Sequence, residues 1–238
     1  AQLGKDWSVT PALFYQRYKT GDIDAAYESV ADYQSANVGA PLPRWQTSKI
    51  VREPGKDVLS VPSLTVAGDL GVVDFTGILS GYDRKFDRRQ DGTFINSVYI
   101  GSVVTDSDLG RLVGFLPSAV DLNNRIKQDS IELRLASKGF EPGVRSLTWI
   151  VGAYGARTKT EVFDNQPVFG INAAFKAAGR DIEDPAELAD TFPGAFLGDS
   201  SYYSARHYTD RQTSVFGELT YHFGPTLRAT AGLRSMHA

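Results

Sequence analysis

Segments in which apolar and polar residues alternate recur along this chain and predict an all-β fold. There are seven of them: Trp7–Tyr18, Val58–Ala67, Val72–Phe86, Asp129–Ser137, Leu147–Thr158, Arg211–Phe223 and Leu227–Arg234. Successive side chains of a strand point to opposite faces, so alternation with a period of two places the apolar residues on one face. The pattern therefore predicts about seven strands, each with one apolar face.

The connections between these segments alternate between short and long. The links at Gly68–Gly71, Lys138–Arg145 and Gly224–Thr226 are brief, whereas the other stretches run to roughly 40 to 50 residues. In an antiparallel meander every second connection lies at the same end. Short periplasmic turns and long extracellular loops are typical of transmembrane β-barrels of the bacterial outer membrane. We therefore expect the wall of such a barrel; a soluble β-sandwich binding module remains an alternative, although its connections are usually short at both ends.

The parity of each strand predicts which face meets water. Ile131, Leu133 and Leu135 alternate with charged residues, and the last two segments repeat this pattern. An arginine or lysine on the lipid face near the bilayer midplane costs about 2–4 kcal/mol. We therefore expect five charged residues to face a wet lumen: Glu132, Arg134, Glu218, Arg228 and Arg234.

Two segments are less regular. The alternation of Val58–Ala67 changes phase near Pro62, which predicts a bulge because proline cannot donate a hydrogen bond to the sheet. Leu147–Thr158 carries apolar residues of both parities, so its faces stay unassigned.

Composition narrows the function classes. The net charge of -3 gives no basic excess for nucleic-acid binding, and the absence of cysteine excludes disulfides and thiolate metal sites. No run approaches the ~20 apolar residues of a membrane helix. The mean hydropathy of -0.24 still fits a barrel, since only alternate residues of its strands face lipid.

Single-chain bacterial barrels have an even number of strands, at least eight. Seven predicted strands leave an open edge, which cannot face lipid because unpaired backbone groups are costly there. We therefore expect residues 1–238 to form one partial barrel domain that further strands complete.

Four segments together resemble the mid-barrel of TonB-dependent outer-membrane receptors in order and spacing. They are QDSIELRLAS at 128–137, LTWIVGAYGARTKTE at 147–161, RQTSVFGELTYHF at 211–223 and LRATAGLR at 227–234. The resemblance implies a 22-stranded barrel with an N-terminal plug, which takes up ferric siderophores, cobalamin or oligosaccharides with energy relayed by TonB. The chain shows neither plug nor TonB box, and Ser235 stands where such receptors usually have an aromatic residue. A passive porin-like channel is the alternative function, since its polar lumen has the same parity pattern.

Catalysis finds little support in the sequence, and an active site in a long loop stays an alternative. His207, His222 and His237 lack metal-ligand spacing, and neither a nucleophile elbow nor a phosphate loop occurs. We expect no enzyme, cofactor or metal, and a structural hydrogen bond at His222.

The long loops are the candidates for recognition, because loops on a rigid scaffold usually carry it. One cluster combines rings that stack on sugars or catechols with a cation for anionic chelates: Tyr202, Tyr203, Arg206, His207 and Tyr208. A second cluster contains Arg84, Arg88 and Arg89, interleaved with aspartates. The alternatives are an outer rim that contacts lipopolysaccharide and a neutralised, solvated strand end. A capping box at Asp184–Glu187 also predicts a short helix over Pro185–Phe192.

Overall fold

The described residues form a single antiparallel sheet in which every strand pairs with its neighbours in sequence. This computed structural model describes residues 2–3, 5–22, 49–139, 146–180 and 197–238. Its eight strands are β1 (Gln2–Leu3), β2 (Trp7–Thr20), β3 (Gly55–Asp69), β4 (Val73–Asp91), β5 (Ala119–Ser137), β6 (Ser146–Pro167), β7 (Ser200–His222) and β8 (Arg228–His237). The seven predicted strands are all present, and the all-β prediction is confirmed.

Several strands are longer than the alternation predicts. β5 begins at Ala119 rather than Asp129, β6 continues to Pro167, and β7 begins at Ser200 rather than Arg211. In these extensions polar residues occupy both faces, so alternation does not mark them. The residues 202–208, which we expected in a loop, therefore lie within β7, and that expectation was wrong.

The connections have the predicted asymmetry. Residues 70–72, 138–145 and 223–227 connect strands at one end of the sheet, here called the turn end. Residues 21–54, 92–118 and 168–199 connect them at the opposite end, here called the loop end. The long connections are shorter than predicted, because the strands extend into them.

The register sorts the side chains of all long strands into two faces. Direct partners across an antiparallel pair lie on the same face, and Leu79, Ile131 and Gly155 are successive direct partners in β4, β5 and β6. We call the face that contains them the belt face. The opposite face, here called the polar face, carries Glu132 and its direct partner Tyr154.

The register also settles the two irregular segments. The pairs Ser60–Asp83 and Ser63–Ser80 share one register, so no residue is inserted at Pro62 and the predicted bulge was wrong. In β6, Val151 lies on the belt face, as the direct partner of Leu135. Ile150 pairs with Glu218 on the polar face, which explains the mixed parity of this segment.

The fully buried core of the described residues lies at the loop end, outside the sheet. Three helices form it: α1 (Ser97–Val103), α2 (Ser107–Gly114) and α3 (Ile171–Ala177). Their buried apolar side chains pack in one cluster with Val104, which follows α1, and Val168, which precedes α3: Ile100, Val104, Leu109, Val113, Val168, Ile171, Ala174 and Phe175. None of these helices was predicted, and the predicted helix at 185–192 lies outside the described residues.

The helices pack closely because small residues meet at their crossing. A Cβ atom on Gly101 would lie only 2.4 Å from the backbone oxygen of Gly110, so neither helix can carry a larger residue there. Asp106 starts α2 by accepting hydrogen bonds from the backbone nitrogens of Asp108 and Leu109, both at 3.0 Å. The side chain of Asp199 accepts from the backbone nitrogens of Gly170 and Asn172 at the start of α3.

Candidate lumen wall and loop-end cations

A polar concavity lies on the polar face of β5 to β8, nearer the turn end. Its volume is about 730 Å³, and its lining includes Glu132, Arg134, Tyr154, Glu218 and Arg234. Four of the five charged residues expected on one wet face therefore line one surface. The fifth, Arg228, pairs directly with His222 and lies on the same face. The predicted segregation of charge from the apolar set is thus present in the sheet.

Both arginines that line this concavity contact neighbouring side chains. Arg134 forms an ion pair with Glu132. The guanidinium of Arg234 donates to Ser214 Oγ at 2.9 Å and lies 5.8 Å from the ring centre of Tyr154. Glu218 is exposed and has no ion-pair partner among the described residues. Among the described residues Arg228 and Arg234 also have no carboxylate partner, so this surface carries unpaired charges of both signs.

The ring of Phe216 lies over Gly152 on this face. A Cβ atom on Gly152 would be 2.3 Å from Phe216 Cζ, so the glycine makes room for the ring. Toward the turn end, Thr148 Oγ1 and His222 Nε2 are 3.1 Å apart. The structural hydrogen bond expected at His222 is therefore present.

An ion-pair network fixes the turn end of β3, β4 and β5. Lys138 Nζ lies 2.6 Å from Asp69 Oδ1 and 2.5 Å from Asp74 Oδ1. The carboxylates of Asp69 and then Asp74 raise the pKa of Lys138 above its ordinary value. Lys138 and the two aspartates therefore join the hairpin of β3 and β4 to the start of the link between β5 and β6, at the end of the sheet where the connections are short.

The predicted aromatic cluster does not form one site. Tyr203 and His207 pair directly with Asn165 and Glu161 and lie on the belt face. Tyr202, Arg206 and Tyr208, at the other parity, lie on the polar face. His207 contacts the ring of Phe163 edge-on, with centroids 5.8 Å apart. Only three of the five residues can meet one ligand.

The arginine cluster of β4 is also divided between the faces. Arg84 and Arg88 lie on the polar face, whereas Arg89 pairs directly with Asp121 on the belt face. Arg84 Nη2 is 2.5 Å from Asp57 Oδ2, and Arg89 Nε is 2.6 Å from Asp121 Oδ1. Two of the three arginines are therefore already neutralised, as the alternative of a neutralised strand end expected.

The sequence analysis missed a set of charged residues on the belt face. The set includes Lys127 and Lys159, in the extensions of β5 and β6 toward the loop end, and Arg157 and Arg211, within the predicted segments of β6 and β7. Continuing the parity of the apolar residues along each strand would have placed them on this face. Lys127 and Lys159 were missed because the strands are longer than predicted, whereas Arg157 was missed because the faces of its segment stayed unassigned.

An apolar belt crosses the belt face at a slant. The direct partners of Ile131 run from Pro11 in β2 through Leu64 and Leu79 to Gly155, Thr213 and His237 in β8. In β2 the apolar residues of this face continue past that row to Tyr15, but in β8 they stop short of it at Leu233. The loop-end boundary of the belt therefore descends toward the turn end from β2 to β8.

The described residues contain no group of three or more metal-ligating side chains. None of their helices is long and apolar enough to cross a membrane. Comparison of the chain with family models, curated proteins and solved structures finds no match.

Proposed function

We propose that the chain is part of the wall of an outer-membrane β-barrel and that this barrel takes up a scarce ligand, as a TonB-dependent receptor does. The slanted belt is the observation that carries the membrane location. From β2 to β8, which are six strand spacings apart, the loop-end boundary of the belt shifts toward the turn end by about eight residues. At ~3.3 Å per residue and ~4.8 Å per strand, this shift corresponds to a slope of roughly 40°. The first charged residues beyond the boundary, Arg17 in β2 and Arg211 in β7, give roughly 30° by the same spacings.

A slanted boundary is what a flat membrane makes on tilted strands. Strands of membrane barrels tilt by about 35–45° from the barrel axis. A membrane plane must then cut each successive strand at a different residue. In a sandwich core the apolar boundary has no such external plane to follow.

The exposure of the belt supports the same proposal. Leu13 is 68% exposed and Leu233 is 81% exposed on this face. The described residues form one sheet, so no second sheet covers the belt as a sandwich would require. Contiguous apolar surface of this extent is typical of a membrane or partner contact.

The polar face supports transport rather than anchoring alone. Its ion pairs and the free carboxylate of Glu218 need water, so this side suits a hydrated lumen. On the same face, the exposed residues Tyr202, Arg206 and Tyr208 at the loop end offer rings and a cation to a ligand. We propose these three as ligand contacts, together with Arg88. The partners of such a receptor are the TonB complex, outer-membrane lipid and a small ligand.

Uptake by whole cells tests this function. Cells that express the protein are incubated with labelled ferric siderophores, cobalamin or oligosaccharides, with and without an intact TonB complex. We expect the protein in the outer-membrane fraction and accumulation of one ligand class only when TonB is intact. Accumulation that persists without TonB would indicate a passive channel instead. Recovery of the protein as a soluble monomer would overturn the membrane location.

A further inference from the structure

Six cations stand on the belt face directly beyond the apolar belt, on its loop-end side. They form three directly opposed pairs across neighbouring strands: Lys85–Arg125, Lys127–Lys159 and Arg157–Arg211. We call these six residues the cation band. Like charges directly opposite each other in a sheet are destabilising, because their Cβ atoms are only about 4.5–5.5 Å apart. Three such pairs together indicate a surface shaped for an anion.

The acids of this surface do not neutralise the band. Four acids share the face with it: Asp83, Asp87, Asp129 and Glu161. Three of them are direct partners of band cations (Asp83 of Lys127, Asp129 of Arg157 and Glu161 of Arg125), and six cations against four acids leave an excess of two positive charges. Asp83 Oδ2 lies 3.1 Å from Arg125 Nη2 and 3.9 Å from Lys127 Nζ. The other four cations have no ion-pair partner among the described residues, and all four side chains are exposed.

The cation band lies next to the apolar belt, and this position indicates which kind of anion it would bind. Along β6, Arg157 is the next residue on the belt face after Ala153 and Gly155 of the belt. In β7, Arg211 and Thr213 are likewise consecutive residues of the belt face. The three pairs lie on a diagonal that runs along the slanted boundary of the belt. An anion bound there has apolar surface directly beside it, where acyl chains can lie.

The residue types fit phosphate. Guanidinium groups bind phosphate oxygens with two parallel hydrogen bonds, and lysine adds a mobile point charge. The aliphatic stems of both can cover apolar surface at the boundary while the charges stay in water.

We propose that the cation band binds the phosphate groups of a lipid headgroup, that of lipopolysaccharide in the outer leaflet, while the acyl chains lie on the belt. This inference rests on the proposed membrane location but not on uptake. The ligand is the phosphorylated lipid rather than free phosphate, because apolar residues of the belt lie directly beside the cations on the same face.

Binding to purified protein in non-ionic detergent tests the proposal. The probes are lipopolysaccharide, its dephosphorylated form and inorganic phosphate alone. The test variant removes three unpaired cations by Arg157→Gln, Lys159→Gln and Arg211→Gln. The control removes three exposed cations elsewhere by Lys5→Gln, Arg111→Gln and Lys176→Gln. A third variant, Arg157→Lys with Arg211→Lys, keeps the charge, and circular dichroism checks that each variant keeps its sheet.

We expect the test variant to bind lipopolysaccharide on the order of a hundredfold more weakly, because each of the three cations contributes about fivefold. The control and the charge-conserving variant should stay within about threefold of the unaltered protein, because both keep the charge of the band. Equal binding of the test and control variants would overturn the inference, as would equal binding of the dephosphorylated lipid. Binding of inorganic phosphate with the same sensitivity would replace the lipid by a free anion and also overturn it.

Insertion into vesicles separates this inference from the proposed location. Protein that resists carbonate extraction from vesicles but shows no difference between the variants contradicts the cation band alone. Protein that does not insert contradicts the membrane location, and the inference falls with it.

Discussion

On the polar face a single glycine of β6 makes room for an aromatic ring of β7. Gly152 faces the ring of Phe216, and its nearest backbone neighbour is Leu133 O, 2.8 Å from where a Cβ would lie. Gly155, three residues further along β6, has only Ile131 Cγ2 within 4 Å of its Cβ position, at 3.6 Å. The two glycines therefore have different reasons to be there.

Gly152→Ala should destabilise the sheet, because the new methyl group displaces a ring and meets the backbone. We expect the free energy of unfolding to fall by about 1–3 kcal/mol, as in other overpacked sites. The matched variant Gly155→Ala should change it by less than about 0.5 kcal/mol. Urea titration followed by tryptophan fluorescence measures both, and equal midpoints for the two variants would show that the Phe216 contact is unimportant.

The N-terminal cap of α2 depends on the ionisation of the Asp106 carboxyl and therefore on pH. Hydrogen bonds from the Leu109 and Asp108 amides, with Arg180 nearby, hold the pKa of this carboxyl below its ordinary value of 3.8. Its contribution to stability is therefore fully present above pH 3.8 and is lost as the pH falls through the lower pKa of the folded state.

We expect the amide resonance of Leu109 to shift in this acidic window, as the protonated carboxyl gives up its hydrogen bond. Asp106→Asn keeps an oxygen acceptor but no titrating charge, so its Leu109 resonance should stay constant with pH. NMR titration between about pH 2 and 6 follows the change, since that window spans the ordinary carboxyl pKa. A shift that persists in the asparagine variant would assign it to another group.

At the scale of the strand, β7 offers neighbouring positions with opposite surroundings. Leu219 is 54% exposed on the belt face, and Glu218 is exposed on the polar face. The proposed membrane contact predicts opposite tolerance of charge at these two adjacent residues.

Leu219→Arg should cost about 2–4 kcal/mol in a bilayer, because the guanidinium would lie in hydrocarbon. Glu218→Arg places the same side chain on the wet face and should cost less than about 1 kcal/mol. Guanidinium unfolding in lipid vesicles compares them. Equal costs would contradict the assignment of the belt face to lipid.

The strands themselves could be predicted where one face meets apolar surroundings, as in Asp129–Ser137 and Arg211–Phe223. The extensions could not, because beyond the belt both faces carry polar residues and the period of two disappears. The helical core was missed for a different reason: α1 and α3 have only seven residues each, too few turns for a clear helical period. For the candidate site, parity correctly placed Glu132, Arg134 and Glu218 on one face. It failed for Tyr203 and His207 because their segment was taken as a loop, where parity has no meaning.

The slanted belt gives a prediction for the molecule as a whole. Polarised infrared spectroscopy of oriented bilayers that contain the protein should give strands tilted by roughly 30–45° from the membrane normal. The charged residues beyond the belt set the lower value, and the last apolar residues set the higher one. Strands parallel to the membrane plane would mean that the sheet lies on the bilayer and does not cross it.

Pairing between sequence neighbours has a consequence for how such a sheet can be assembled. Each new strand pairs on one side with the strand before it, and the unpaired backbone groups on its other side are the template for the next strand. Assembly can then proceed in chain order, one hairpin at a time, with no strand waiting for a distant partner. The same arrangement allows whole hairpins to be gained or lost without rerouting the rest of the chain.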